Sequence, residues 1–348
     1  MALFDALSDL PLTISAVSYD LHEAETSSDF TRLSTTVSLS GDGETGRGED
    51  VTYEAEDHRA LVDAAPTFDL EGEWTFAEFS AHLGETDLFH GREPGRPDFR
   101  DYRRWGFESA ALDLALRQAD TNLAEALDLT YDPVRFVVST RLPDASIDRI
   151  ETWLSFDGDY EFKLDPTSEW DDALVAELAA TGAVRVCDLK GQYEGTDVDQ
   201  EPDPELYRRV IEGLPEAVIE DPALTPETRP LFEGHEGHVS WDAAIHGLDD
   251  ITNLPWEPDW LNIKPSRFGS VESVLESIEY CQEAGIQLYG GGQFELDVGR
   301  EHIHALASLF YPDAANDVAP KEYNRPEPTP DLPKSPLSPP ESPRGMDW

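Results

Sequence analysis

Four short apolar runs, each closed by one ionisable residue, constrain this chain more than any other feature: VRVCD (184–188), EAVIE (216–220), HVSWD (238–242) and WLNIK (260–264). Their last residues, Asp188, Glu220, Asp242 and Lys264, stand 32, 22 and 22 residues apart. Each run has the composition of a strand, and a helix fits between most pairs, which is the beat of a β/α repeat. In a barrel built from such repeats the C-terminal strand ends converge on one face, where active sites are assembled. Three carboxylates meeting there repel unless a cation holds them together. Oxygen ligands alone suit a hard ion, Mg2+ before Ca2+. The pattern therefore predicts a divalent-metal site held by Asp188, Glu220 and Asp242, with the amine of Lys264 beside it.

The flanking sequence completes an α/β plan. Residues 12–21 and 32–39 alternate like strands of an antiparallel meander, followed by the turn Gly41-Asp42-Gly43 and the stretch GRGED (46–50). Residues 60–65 and 75–83 read as short helices, and 107–119 as a strong one, rich in Ala and Leu. Residues 1–130 are thus expected to form a small α+β domain. A second domain, 131–319, opens on the continuous apolar run VRFVVS (134–139), suited to a parallel strand buried on both faces. A second strand, YEFKLDP (160–166), places Glu161, Lys163 and Asp165 on one side. Helices are expected at 145–156, 171–180, 203–212, 271–284 and 300–309, and a last strand, 286–295, runs into a glycine-rich turn. That run, Gly290 to Gly292, lacks a phosphate-binding lysine and reads as close backbone approach. Nine of the last 29 residues are proline, so 320–348 is expected to be a mobile Pro-rich tail.

Charge narrows the partners. With 73 acidic against 25 basic side chains the net charge is −48, spread along the chain. Phosphate backbones and anionic membranes would be repelled, so neither nucleic acid nor membrane is an expected partner. Such a surface fits a high-salt cytoplasm, where ions screen the self-repulsion. The two cysteines, Cys187 and Cys281, lack CxxC spacing and read as buried thiols in a reducing compartment. No basic leader and no apolar run near 18 residues is present, so a cytoplasmic location is expected.

VIEDP (218–222), NIKPSRFGS (262–270) and GGGQFELDVGR (290–300) resemble the enolase superfamily, nearest the muconate-lactonising and o-succinylbenzoate synthase branch. FESAALDLALRQADTNLAEAL resembles the helix closing that family's capping domain, and GRGED its glycine-glutamate motif. The resemblance covers roughly residues 12 to 320 and implies an α+β cap over a modified TIM barrel, (β/α)7β. It implies abstraction of a proton α to a carboxylate, with the enediolate stabilised on Mg2+. Carried over by motif, Asp188, Glu220 and Asp242 would ligate the metal and Lys264 would be the acid or base. Gln293 and Glu295 would lie near the substrate. A small-molecule carboxylate is the implied partner, and the resemblance allows a homo-oligomer.

Departures from the pattern bear on the chemistry. The family's strand-two Lys-x-Lys reads Lys163-Leu164-Asp165 here, so Asp165 replaces the catalytic lysine. In a register two residues different, Lys163 would itself be catalytic and Glu161 would replace its neighbour; the following turn favours the first. Lys190 stands where the family has asparagine, as a new amine in the site or an occupant of the metal's place. Ala243 replaces a glutamate, and His246 is a candidate to supply the lost polar function. These changes weaken two-base racemisation and favour one-base elimination or cycloisomerisation, with Lys163 and Lys190 as partners to Lys264. Two other readings stay open: a catalytically inactive enolase-like binding protein, and a metal-free barrel enzyme in which Lys190 pairs with the acids.

Overall fold

Alternation near the N-terminus builds two small antiparallel sheets. The strands are β1 (Pro11–Ile14), β2 (Ala16–Glu25), β3 (Thr31–Gly41), β4 (Glu44–Asp50) and β5 (Gly72–Thr75); β1 pairs with β5, and β2, β3 and β4 form a meander. The computed structural model describes residues 2–26, 30–193, 195–196 and 198–348. The expected helices are present, with longer bounds, at Ala55–Ala64, Phe76–Glu85 and Phe99–Gln118. GRGED, read from sequence as following a turn, is β4 itself. The helix Phe99–Gln118 lies directly on it: a Cβ at Gly46 would stand 2.2 Å from the Leu114 backbone nitrogen, and one at Gly48 would stand 2.1 Å from the Gly106 carbonyl. Only glycine permits that approach.

Seven parallel strands follow in sequence order: β6 (Val138–Thr140), β7 (Phe162–Leu164), β8 (Val184–Asp188), β9 (Val218–Glu220), β10 (Val239–Trp241), β11 (Trp260–Ile263) and β12 (Gln287–Gly290). They form a curled half-barrel sheet. Its two edges meet the same short segment, since Phe136 bridges Asn316 and Gly291 bridges Asp317, both in parallel. Full helices follow β6, β7, β8, β11 and β12. After β9 and β10 the 22-residue spacing leaves only one-turn helices and the five-residue Leu248–Thr252, and Pro222, Pro226 and Pro230 interrupt any longer one.

The run 134–139 is only partly a ladder strand. Backbone groups of Val134, Arg135 and Val137 bond instead to Leu337, Pro312 and Asn316, and parallel pairing begins at Val138. The Pro-rich segment is correspondingly packed, which corrects the expectation of a mobile tail. Val134 and Leu337 exchange two backbone hydrogen bonds of 2.8 Å. Gly345 pairs with Thr121 and Leu123 of the cap, and Met346 is buried. Arg117 bonds Asp347, and Trp348 packs on Tyr131 and His304. Proline rules out ladders, but single bridges and a few apolar anchors suffice to dock an already stiff chain.

Two cap carboxylates join the halves. Glu49 accepts hydrogen bonds from the backbone nitrogens of Leu296, Asp297 and Gly299, where the helix Gly299–Phe310 begins. Glu108 accepts from Val271, the first residue of the helix Val271–Ala284. Helix N-termini present unpaired N–H groups and positive potential, so a buried acid there is well placed. Among the described residues no helix is long and apolar enough to cross a membrane.

Candidate active site

Asp188 ends β8, Glu220 ends β9, and Asp242 follows β10. Parallel register sets Asp188 opposite Glu220 and Glu220 opposite Ser240. The three carboxylates are fully buried, and one oxygen from each lies within 4.8 Å of the others. The sequence expectation that they converge is met in this geometry.

Cations and donors surround them. Lys163 Nζ is 2.5 Å from Glu220 Oε1, 3.3 Å from Asp188 Oδ2 and 3.2 Å from Asp317 Oδ2. Lys264 Nζ donates to Asp242 Oδ2 at 2.8 Å. The same oxygen accepts from Tyr193 Oη at 2.8 Å and Arg267 Nη2 at 3.4 Å. Glu220 Oε2 accepts from Asn262 Nδ2 at 3.2 Å and from Tyr289 Oη. Lys190 donates through its backbone nitrogen to Asp188 Oδ1 at 3.1 Å and through Nζ to Asp188 Oδ2. Among the described residues, Asp242 Oδ1 is the one of the six oxygens without a hydrogen-bond partner, and the neighbouring Asn262 Oδ1 is unpartnered as well.

Electrostatics follow from this packing. Burial pushes the Glu220 carboxyl well above its ordinary range; Lys163 opposes the push, while Asp188 and Asp242 reinforce it. Burial acts the same way on Asp188 and Asp242. There it is outweighed by Lys190 and Lys163 at Asp188 and by Arg267 and Lys264 at Asp242, so both carboxyls lie below their usual range. Burial disfavours the charged forms of Lys163 and Lys190, but the surrounding carboxylates dominate and hold both ammoniums above the ordinary lysine value. Asp221, buried beside Asp242 and Asp188, is pushed up to about 7; its two oxygens accept from the backbone nitrogens of Asp242 and Ala243 at 2.8 Å and fix that turn.

The other candidates are placed as follows. Lys163 lies within β7 and Asp165 just past its end. Asp165 pairs with Arg141 at 3.2 Å and Lys190 at 3.6 Å. Gln293 accepts from Tyr53 Oη at 2.8 Å and donates to Tyr102 Oη at 3.1 Å, tying the loop after β12 to the cap. Glu295 is turned into its own loop, bonded by the Gln293 nitrogen and paired with Arg300 at 2.9 Å. His246 is not drawn to the acid cluster: its charge acts on Asp101 of the cap, and among the described residues no hydrogen bond joins its ring to the three carboxylates. The glycine run is a matter of close approach, as expected. A Cβ at Gly291 would stand 2.4 Å from Asn262 Oδ1 and 2.7 Å from Lys264 Cε.

Sequence reasoning missed Asp317, Tyr193, Tyr289, Asn262 and Arg267 as members of this cluster. Arg267 and Asn262 lie inside the NIKPSRFGS motif and were open to assignment. Tyr193 and Asp317 sit in segments with no periodic signal, and Tyr289 lies on the expected last strand with no motif to mark it.

The carboxylates and the orphaned Asp242 Oδ1 fit a hard divalent cation: three anionic oxygen donors on adjacent strands, with one buried lone-pair site left open. Residues 130–325 match the family described as domain of unknown function (DUF8230) C-terminal domain, and residues 5–126 match its N-terminal domain. The o-succinylbenzoate synthase of Bacillus subtilis (strain 168) is 27% identical over 213 residues, 59% of this chain and 55% of that protein. The chain thus spans about half the length of the curated relative it matches. Among solved structures, an unknown member of the enolase superfamily from Enterococcus faecalis V583 matches with a TM-score of 0.64 and 17% identity, over 89% of this chain and 87% of that one. A dipeptide epimerase from Methylococcus capsulatus complexed with Mg ion matches with a TM-score of 0.67 and 17% identity, over 88% and 89%. At these identities the likeness is one of fold, and the fold is that of enolase-superfamily members, as the motifs had indicated.

Proposed function

The chain belongs to the DUF8230 family, matching it in both domains, and on that footing we propose that it is a Mg2+-dependent enzyme that moves a proton α to the carboxylate of a small substrate. The observation that carries this is the meeting of Asp188, Glu220 and Asp242 oxygens within 4.8 Å, with Lys264 at the edge of the cluster on Asp242. Read with the enolase-superfamily fold, the curled sheet and the 316–317 segment make a (β/α)7β barrel.

Asp188, Glu220 and Asp242 would hold the ion. Bound there, Mg2+ would supply positive charge for a substrate carboxylate and for the negative charge that gathers on it as the α proton leaves. Lys264 takes or returns that proton on its ε-amine. Gly291 gives the lysine stem its room, and Tyr193 and Arg267 hold Asp242 beside it. Lys163, pinned among three carboxylates and 1% exposed, balances charge beneath the site. Tyr53, Tyr102 and Gln293 close the cap over the barrel mouth. With Lys264 as the single proton carrier, the arrangement favours elimination or cycloisomerisation over racemisation.

The test has two parts. Calorimetric Mg2+ titration in multimolar KCl should give one saturable site that Glu220→Gln abolishes. A panel of small carboxylates should show solvent deuterium entering at the α carbon, with loss in Lys264→Ala. A wild type without a metal site, or Lys264→Ala with full exchange, would overturn the reading. The second reading, an enolase-like binding protein without catalysis, draws on the five carboxylate oxygens already bonded by protein donors; any α-carbon exchange by the wild type removes it.

A further inference from the structure

Lys190 is a cation of the cluster that the strand-end pattern does not require, and it lies in the loop just past β8. It follows β8 by two residues and adopts a left-handed backbone, φ 54°. That conformation, uncommon for a residue with a side chain, folds Lys190 back on Asp188, so its backbone nitrogen and its ammonium together occupy both oxygens of one carboxylate. An incoming divalent ion therefore competes with this ammonium for Asp188.

A second seat lies next to the first. Asp165 Oδ1 is 3.6 Å from Lys190 Nζ, and the Tyr193 ring centroid is 5.2 Å away. The other Asp165 oxygen is already held by Arg141, which fixes the carboxylate in place. Both Lys190 and Asp165 side chains are 14% exposed, so an ammonium leaving Asp188 finds a carboxylate and an aromatic face before it finds bulk water. Lys163 has no such freedom, because it is rooted inside β7 and buried among Glu220, Asp188 and Asp317.

We propose that Lys190 is a built-in competitor for the metal, seated on Asp188 when no divalent ion is bound and transferred to Asp165 when one binds. This rests on the reading of Asp188, Glu220 and Asp242 as metal ligands. The transfer keeps the amine and its charge inside the site. Metal affinity is then set by the difference between two carboxylate seats, and Asp165 becomes a positioning residue for the loaded state.

The experiment is Mg2+ titration of the full chain by calorimetry in multimolar KCl, comparing wild type with Lys190→Met, Asp165→Asn and the double variant. Methionine keeps the length of the stem and removes the charge. Lys190→Met should bind Mg2+ about tenfold tighter or more, because the competitor is gone. Asp165→Asn should bind about tenfold weaker, because the displaced ammonium has lost its second seat. The double variant should match Lys190→Met alone, since Asp165 acts only through Lys190. If Lys190→Met does not fold, Lys190→Gln carries the same expectation. A wild-type site that Glu220→Gln abolishes but Lys190→Met leaves unchanged or weakens overturns the competitor alone. No site in either wild type or Lys190→Met overturns both the competitor and the metal reading. A site that emerges only in Lys190→Met establishes the competition and removes the Mg2+ requirement from the wild-type protein.

Discussion

Gly291 makes room for Lys264. A Cβ at residue 291 would lie 2.7 Å from Lys264 Cε and closer still to the Asn262 amide, so the proposed acid-base residue keeps its place only because its neighbour just past the end of β12 has no side chain. Gly291→Ala should cost about 1–3 kcal/mol of stability through overpacking. It should also reduce α-carbon deuterium exchange towards the level of Lys264→Ala while Mg2+ still binds. Chemical denaturation, exchange and calorimetry read the three effects separately, and unchanged exchange in Gly291→Ala would rule out the proposed placing of Lys264.

Glu49 anchors the cap by accepting three backbone N–H groups at the start of Gly299–Phe310. Glu49→Ala leaves those donors buried without their acceptor, and each unpaired group costs about 1 kcal/mol or more. A loss of roughly 3 kcal/mol is expected, visible as a lower denaturation midpoint. Glu49→Gln, which keeps one acceptor oxygen, should lose less.

Acid should weaken the fold through two histidines on that same helix. Burial depresses His302 to about 4 and His304 to about 3, with Asp113 opposing at the first and the Val318 carbonyl at the second. The unfolded chain takes up these protons near pH 6.5, and the folded chain does so only below about 4. Stability is therefore fully present above the unfolded value and falls as pH drops from 6.5 towards 4. The loss is about 2 kcal/mol per histidine by pH 5. Denaturation at pH 7 and pH 5 should show it, and His302→Asn/His304→Asn should flatten the slope whatever its absolute stability. An equal slope in the double variant would assign the acid limb to other groups.

A net charge of −48 repels itself at low ionic strength. The melting temperature should fall steadily as KCl is lowered from multimolar to about 0.1 M, where the screening length reaches about 10 Å. A melting temperature indifferent to salt would contradict the high-salt reading of the surface.

The parallel sheet was legible where each strand carried its own punctuation. Asp188, Glu220, Asp242 and Lys264 mark strand ends because apolar runs precede them, and the meeting of the three carboxylates follows from that spacing. What escaped lacks any repeat. The contact that meets both sheet edges is two residues long, Asn316 and Asp317, too short for alternation to register. β4 was hidden because Gly46 and Gly48 remove the apolar half of the strand pattern, their facing surface being supplied by helix backbone. Packing of the Pro-rich segment depends on Leu337, Met346 and Trp348, anchors too widely spaced to announce a buried element.

The return of residues 337–348 to the first half of the molecule has a consequence for the order of assembly. The N-terminal domain is made before the sheet, yet Asp113, Thr121 and Leu123 find partners in Gly345 and Met346 only after all seven parallel strands have been synthesised. Contacts this distant in sequence form late and slowly. The last packing of the N-terminal domain therefore waits for the sheet, and the two should unfold as one cooperative unit.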